Sequence, residues 1–132
     1  MTPNQKKEIT CITCPIGCRI SVTLNNGAYY FIGNKCEKGA MFAENEIKSP
    51  VRSLTTTVRT VFPDAPVLPV RTRGDVPKQK IKDIIRELSD IIITKRIGIG
   101  ETVVAGISGT GCDIIAASNI LKEKNICQTR TR

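Results

Sequence analysis

The sequence predicts an α+β protein: a small N-terminal four-cysteine metal-binding hairpin module, followed by a C-terminal helix packed on a β-hairpin or small antiparallel sheet. Three observations carry this expectation. The stretch CITCPIGC, Cys11 to Cys18, holds three of the six cysteines in a chain without histidine. Asn26-Gly27 separates two strand-like runs, and Asn-Gly is the strongest short-range hairpin signal because both residues tolerate positive φ. From Ile81 to Ile92, isoleucine and leucine recur at three- and four-residue steps, the stripe of an amphipathic helix.

In order along the chain, CRISVTL alternates Ile20, Val22 and Leu24 with polar residues, the period of a half-buried strand. AYYFIG after the Asn-Gly turn is its partner. With Asn25 opposite Ala28, counting back along the ladder sets Cys18 opposite Lys35, so Cys36 arrives beside the first three cysteines. EKGAMFAENEIK suits a short helix entered through Gly39, with Met41, Phe42 and Ile47 on one face, broken at Pro50. Ser53 to Phe62, SLTTTVRTVF, is β-branched and alternating, hence a strand. Four of the seven prolines fall between Pro63 and Pro77, which predicts a stiff, extended connection and a unit boundary. A helix then runs from about Pro77 to Ser89. ETVVAGI and CDIIAAS form an antiparallel hairpin joined by SGTG and packed under the isoleucine face. The organisation expected is therefore a metal-binding module at 1–62, a Pro-rich connection at 63–77, an α+β unit at 78–120 and a frayed basic tail at 121–132.

At 132 residues, the chain suffices for one ordinary domain or two small units, one of which needs a staple. Its 40% apolar and 24% charged residues are those of a soluble globular protein. No apolar run approaches the roughly 18 to 20 residues of a membrane span, and the polar start MTPNQKKEIT lacks the apolar core of a secretory signal. A cytoplasmic setting follows as an expectation, and there closely spaced cysteines more often bind metal than form disulfides. The net charge of +8 is spread evenly, and only Val70 to Lys82 is locally dense in cations. That favours an acidic protein partner or a solvated surface over nucleic acid.

The spacing C-x2-C-x3-C-x17-C nominates Cys11, Cys14, Cys18 and Cys36 as metal ligands. Four thiolates can close a tetrahedral zinc site or hold the iron corners of a cubane cluster. Three clustered cysteines with one remote, and Pro15 after Cys14, is nearer to cluster usage than to paired zinc knuckles. Arg19, Lys35 and Lys38 stand near these cysteines in sequence and suit the net negative charge of either centre. Cys112 reads as a buried strand residue and Cys127 as an exposed tail thiol. GISGTG reads as a hairpin turn, because no helix follows it to bind phosphate. Without histidine or a convincing carboxylate pair, no independent enzymatic activity is expected.

Residues 11–40 resemble the N-terminal iron-sulfur segment of the molybdopterin oxidoreductases, which reads C-x2-C-x3-C, a small hairpin, then C-x-K-G. That resemblance implies a [4Fe-4S] cluster on Cys11, Cys14, Cys18 and Cys36, with Lys38 matching the lysine between cluster and pterin. Over residues 9–120 the pattern CxxCPxGC, SPVRSLTTTVR, LPVRT, VPK and GTGCDIIA is similar to a family of small four-cysteine bacterial and archaeal proteins. Its members are encoded beside FAD-dependent oxidoreductases of the glycerol-3-phosphate dehydrogenase type. This second resemblance implies a metal-binding accessory subunit, and with the first it leads to the expectation of a [4Fe-4S] electron-transfer subunit of such a flavin-dependent dehydrogenase. The alternative is a structural Zn2+ site in a scaffold or interaction module.

Overall fold

Asn26 and Gly27 take φ of +50° and +78°, the left-handed pair a type I′ turn requires, and the strands on either side pair as the sequence predicts. The computed structural model describes residues 2–127. It divides them into two units, the first ending at Pro50 and the second starting at Val51.

In the first unit β1 (Lys6–Thr10), β2 (Arg19–Asn25) and β3 (Ala28–Ile32) form a sheet in that order. β2 and β3 pair from Asn25↔Ala28 to Ser21↔Ile32. β1 is a strand that the sequence pattern does not announce: Lys6 pairs with Thr23 and Thr10 with Arg19. Only Ile9 of this strand turns inward, so no alternation betrays it. Helix α1 (Glu37–Lys48) lies on the sheet through Gly39 and Ala43, with Phe42 and Ile47 partly buried. Met41, expected on that inner face, is exposed. Ser49 caps the helix by donating its N–H to Asn45 O, and Pro50 prevents a further turn. The core is small: Ile9, Cys11, Ile20, Val22 and Ala43.

In the second unit a two-stranded ladder joins β4 (Val51–Arg52) to β7 (Val76–Pro77). The main sheet has five strands in the order β8-β5-β6-β10-β9. Its members are β5 (Thr55–Thr60), β6 (Val67–Thr72), β8 (Ile92–Ile93), β9 (Thr102–Val104) and β10 (Ile114–Ala116). All neighbours are antiparallel except β5 and β8. Helix α2 (Ile81–Ser89), entered through a 3-10 turn at Lys78–Lys80, buries Ile84 and Leu88 in a core with Val58, Leu68, Val70 and Ile114. Ile85 of the predicted stripe stays largely exposed, and Ile92 belongs to β8 rather than to the helix. The expected hairpin of β9 and β10 forms.

Three expectations about organisation are corrected. The strand assigned to the metal module, β5, is hydrogen-bonded into the sheet of the second unit, so the units meet at Pro50 and not at 62–63. The Pro-rich segment is no connection, because it contains β6, a central strand. Pro69 is tolerated there because it faces Thr57 in a pair that exchanges no hydrogen bonds. On its other side it occupies the end of the ladder, where its carbonyl accepts from the Ala117 N–H. Finally, residues 121–127 are not a frayed tail. Helix α3 (Ile120–Cys127) starts there, and Leu121 is fully buried in the core. The rest of that predicted tail lies outside the described residues.

Candidate metal centre

The last registered pair of β1 and β2 is Thr10↔Arg19, and one step further the Cys11 N–H donates to Cys18 O at 2.8 Å. The ladder thus runs on to make a neck, with Cys11 and Cys18 facing each other and residues 12–17 as the loop. Gly17, at φ +64°, supplies the left-handed bend that returns the chain to β2. Burial differs along the loop. Cys11 is buried, Cys18 half-buried and Cys14 exposed. The Cys11 thiol and the Thr13 hydroxyl are hydrogen-bonded at 3.0 Å.

Cys36 lies beyond the end of β3, whose registered pairing with β2 stops at Ser21↔Ile32, short of the counted pair Cys18 and Lys35. After Ile32 the chain crosses against β2 at Gly33, where a Cβ would stand 2.3 Å from the Arg19 carbonyl oxygen. Gly39 seats the first turn of α1 against Ile20, where a Cβ would lie 3.3 Å from the Ile20 Cδ1. Cys36 is the N-cap of that helix, extended at φ −150° and ψ 166°. Its carbonyl accepts from Asn34 Nδ2 at 3.1 Å and from the Gly39 N–H at 3.2 Å. The side chain makes no capping hydrogen bond and is exposed.

The backbone therefore brings all four cysteines to one end of the sheet, while the sulfurs are not drawn into one group. Among the described residues no three Cys, Asp or Glu side chains are gathered closely enough to hold a metal ion. The donor set itself fits either centre: four thiols free of disulfides, all of the soft type that zinc and iron-sulfur clusters select. Arg19, Lys35 and Lys38 are exposed. Among the described residues none of the three pairs with a carboxylate.

The remaining candidates separate from this end. Cys112 precedes β10 rather than lying in a strand; it is half-buried against the core of the second unit and donates its thiol to Asp113 O at 3.7 Å. The side chain of Cys127 lies outside the described residues. GISGTG is the turn between β9 and β10, with positive φ at Gly106, Ser108, Gly109 and Gly111 and a strand, not a helix, beyond it. Sequence reasoning missed Gly33, whose only signal was a glycine just past a strand end, and the two isoleucines of the cysteine loop.

Residues 37–118 match a family model described as a protein of unknown function, DUF1667. The match starts one residue after Cys36, so the four cysteines precede it. The NMR structure of a Clostridium perfringens protein is similar at 29% identity, covering 51% of this chain and 80% of that one, with a TM-score of 0.47. No curated protein matches the chain.

Proposed function

The chain belongs to the DUF1667 family, which carries no assigned activity, and from the cysteine end of its first unit we propose an iron-sulfur accessory subunit that transfers electrons for a flavin-dependent dehydrogenase. The observation that carries this reading is the Cys11–Cys18 neck, which presents three thiols on one short loop while the hairpin returns Cys36 to the same end. The resemblance of residues 11–40 to the cluster segment of the molybdopterin oxidoreductases supports iron. The partner is an FAD-dependent oxidoreductase of the glycerol-3-phosphate dehydrogenase type, and the setting is the reducing cytoplasm. Among the described residues no helix is long and apolar enough to cross a membrane.

Cys11, Cys14, Cys18 and Cys36 would hold the cluster, which, when bound, accepts and releases single electrons. The chain's own residues do the rest. The neck hydrogen bond fixes the loop at its base, and Gly33 and Gly39 keep the strand crossing and α1 close against β2. Exposed Arg19, Lys35 and Lys38 offset the negative charge of a four-thiolate centre and steer an acidic partner.

A second reading, a structural zinc site in a scaffold module, draws on the size of the first core. Five buried residues are few for an independent unit, and zinc commonly staples such units. Anaerobic purification separates the two. The proposal expects a brown protein with iron and sulfide in equal amounts, bleached on reduction. A colourless protein with stoichiometric zinc and no iron overturns it in favour of the second reading.

A further inference from the structure

Two of the six residues inside the cysteine neck are isoleucines that the fold does not use. Ile12 is 66% exposed and Ile16 is 64% exposed, and neither joins the core of the first unit. They flank the exposed Cys14 and Pro15 on either side. A lone exposed isoleucine needs no explanation. A pair presented on a loop pinned at its base, in the stretch that carries the thiols, is a different matter. Ile32, 70% exposed, adds to this end of the sheet: it faces Ser21, two residues along β2 from Arg19.

The charges around these residues are predominantly positive. Between Cys11 and Ala40 the cations are Arg19, Lys35 and Lys38, and Glu37 is the only acidic residue. An apolar centre with a charged rim is the anatomy of a transient protein interface. Its complement is an apolar recess ringed by carboxylates. A membrane surface would accept the same charges, but interfacial anchors rely on aromatic side chains, and residues 11–18 contain none.

We propose that Ile12 and Ile16 are the anchors by which the cysteine loop docks onto a flavoprotein partner, in an apolar recess ringed by carboxylates. The inference rests on the redox reading above and adds where the partner sits. Docking through these residues places Cys14 within the interface and excludes water from the end of the unit that carries the thiols. The cations act earlier, on the rate of encounter.

The test titrates the full chain against the purified FAD-dependent oxidoreductase, following association by interferometry at two ionic strengths. The Ile12→Ser/Ile16→Ser variant is expected to bind on the order of 100-fold more weakly, mainly through faster dissociation, with unchanged metal content. Lys35→Gln/Lys38→Gln is expected to slow association about tenfold at low salt and little at high salt. Hydrogen exchange on the unmodified complex gives a readout independent of any variant, and residues 12–17 are expected to gain protection. Isoleucine variants that bind within threefold of the unmodified chain, or a loop that gains no protection, would overturn the docking assignment while leaving the partnership standing. An unmodified chain that holds its metal but does not bind the flavoprotein overturns both. Isoleucine-dependent binding to anionic phosphatidylglycerol vesicles in place of the flavoprotein overturns it in favour of a membrane surface. Metal analysis of the same preparation decides the nature of the centre separately.

Discussion

A Cβ added to Gly33 would stand 2.3 Å from the carbonyl oxygen of Arg19, in a residue whose φ is +105°. Both the contact and the dihedral exclude a side chain, and neither neighbour is a flexible tip that can swing away. Gly33→Ala should therefore destabilise the first unit by about 2 to 4 kcal/mol, combining backbone strain with a forced separation of the chain from β2. Tyr29 and Tyr30 are the only tyrosines and the chain has no tryptophan, so tyrosine fluorescence during urea denaturation reads this unit alone. With the proposed centre on Cys36, the same variant should also retain less metal, since Gly33 lies three residues before that cysteine. A midpoint unchanged from the parent would show that the crossing at Arg19 is not needed. Nothing in the sequence could assign this role to Gly33, because steric closeness to a residue 14 positions earlier exists only in the folded sheet. The nomination of Cys11, Cys14, Cys18 and Cys36 rests on spacing, which the sequence displays, whereas the placement of their sulfurs depends on the fold.

Elements announced by a strong period were legible: β2, β3, α1, α2 and the β9–β10 hairpin all lie where the pattern of side chains puts them. Those missed had no period to offer. β1 buries one residue, and β6 was hidden by Pro69, whose missing N–H faces away from β5. α3 was hidden by the lysines around Leu121, the residue that packs inward. What holds that helix start is equally nonlocal. The Arg96 guanidinium donates to both carboxylate oxygens of Asp64 at 3.1 and 3.2 Å, donates to Leu121 O at 2.7 Å, and stacks 4.3 Å from the centre of the Phe62 ring. Lysine cannot reproduce a bidentate, stacked arrangement. Arg96→Lys should lower the stability of the second unit by about 1 to 2 kcal/mol in circular-dichroism denaturation. An effect absent from an Asp64→Asn background would trace the loss to this pair.

A second tether of the same region responds to pH. Lys122 donates to Glu101, and this hydrogen bond holds the Glu101 carboxyl below the usual carboxylate range. A lowered folded-state pKa means the unfolded chain takes up the proton first as pH falls. The contribution to stability is therefore complete above the ordinary carboxylate range and is lost as pH drops through and below it. Glu101→Gln should lower the neutral plateau of the melting temperature slightly, the pair being exposed and screened by solvent, and should converge with the parent as pH falls from about 5 to about 3, so that its acid limb is flatter. A variant whose acid limb parallels that of the parent would remove Glu101 from the account.

At the scale of the whole molecule, the two units differ in how much apolar surface their folds can bury. Among the described residues the core cluster of the first has five buried members, one of them Cys11, and that of the second has twelve. Apolar burial is the main favourable contribution to folding, and the second unit has by far the larger share of it, whereas the first is short of apolar surface and gains most from a group that cross-links its cysteine end. If the proposed metal centre is the cross-link, stripping the metal, or replacing Cys36 with serine, should separate two transitions that run closer together in the loaded protein. Tyrosine fluorescence, confined to the first unit, should shift to lower urea. The circular-dichroism transition dominated by the second unit should keep its midpoint within error. Coincident transitions after metal removal would mean that the first unit draws its stability from elsewhere, and the cysteines would then need a role other than holding this unit folded.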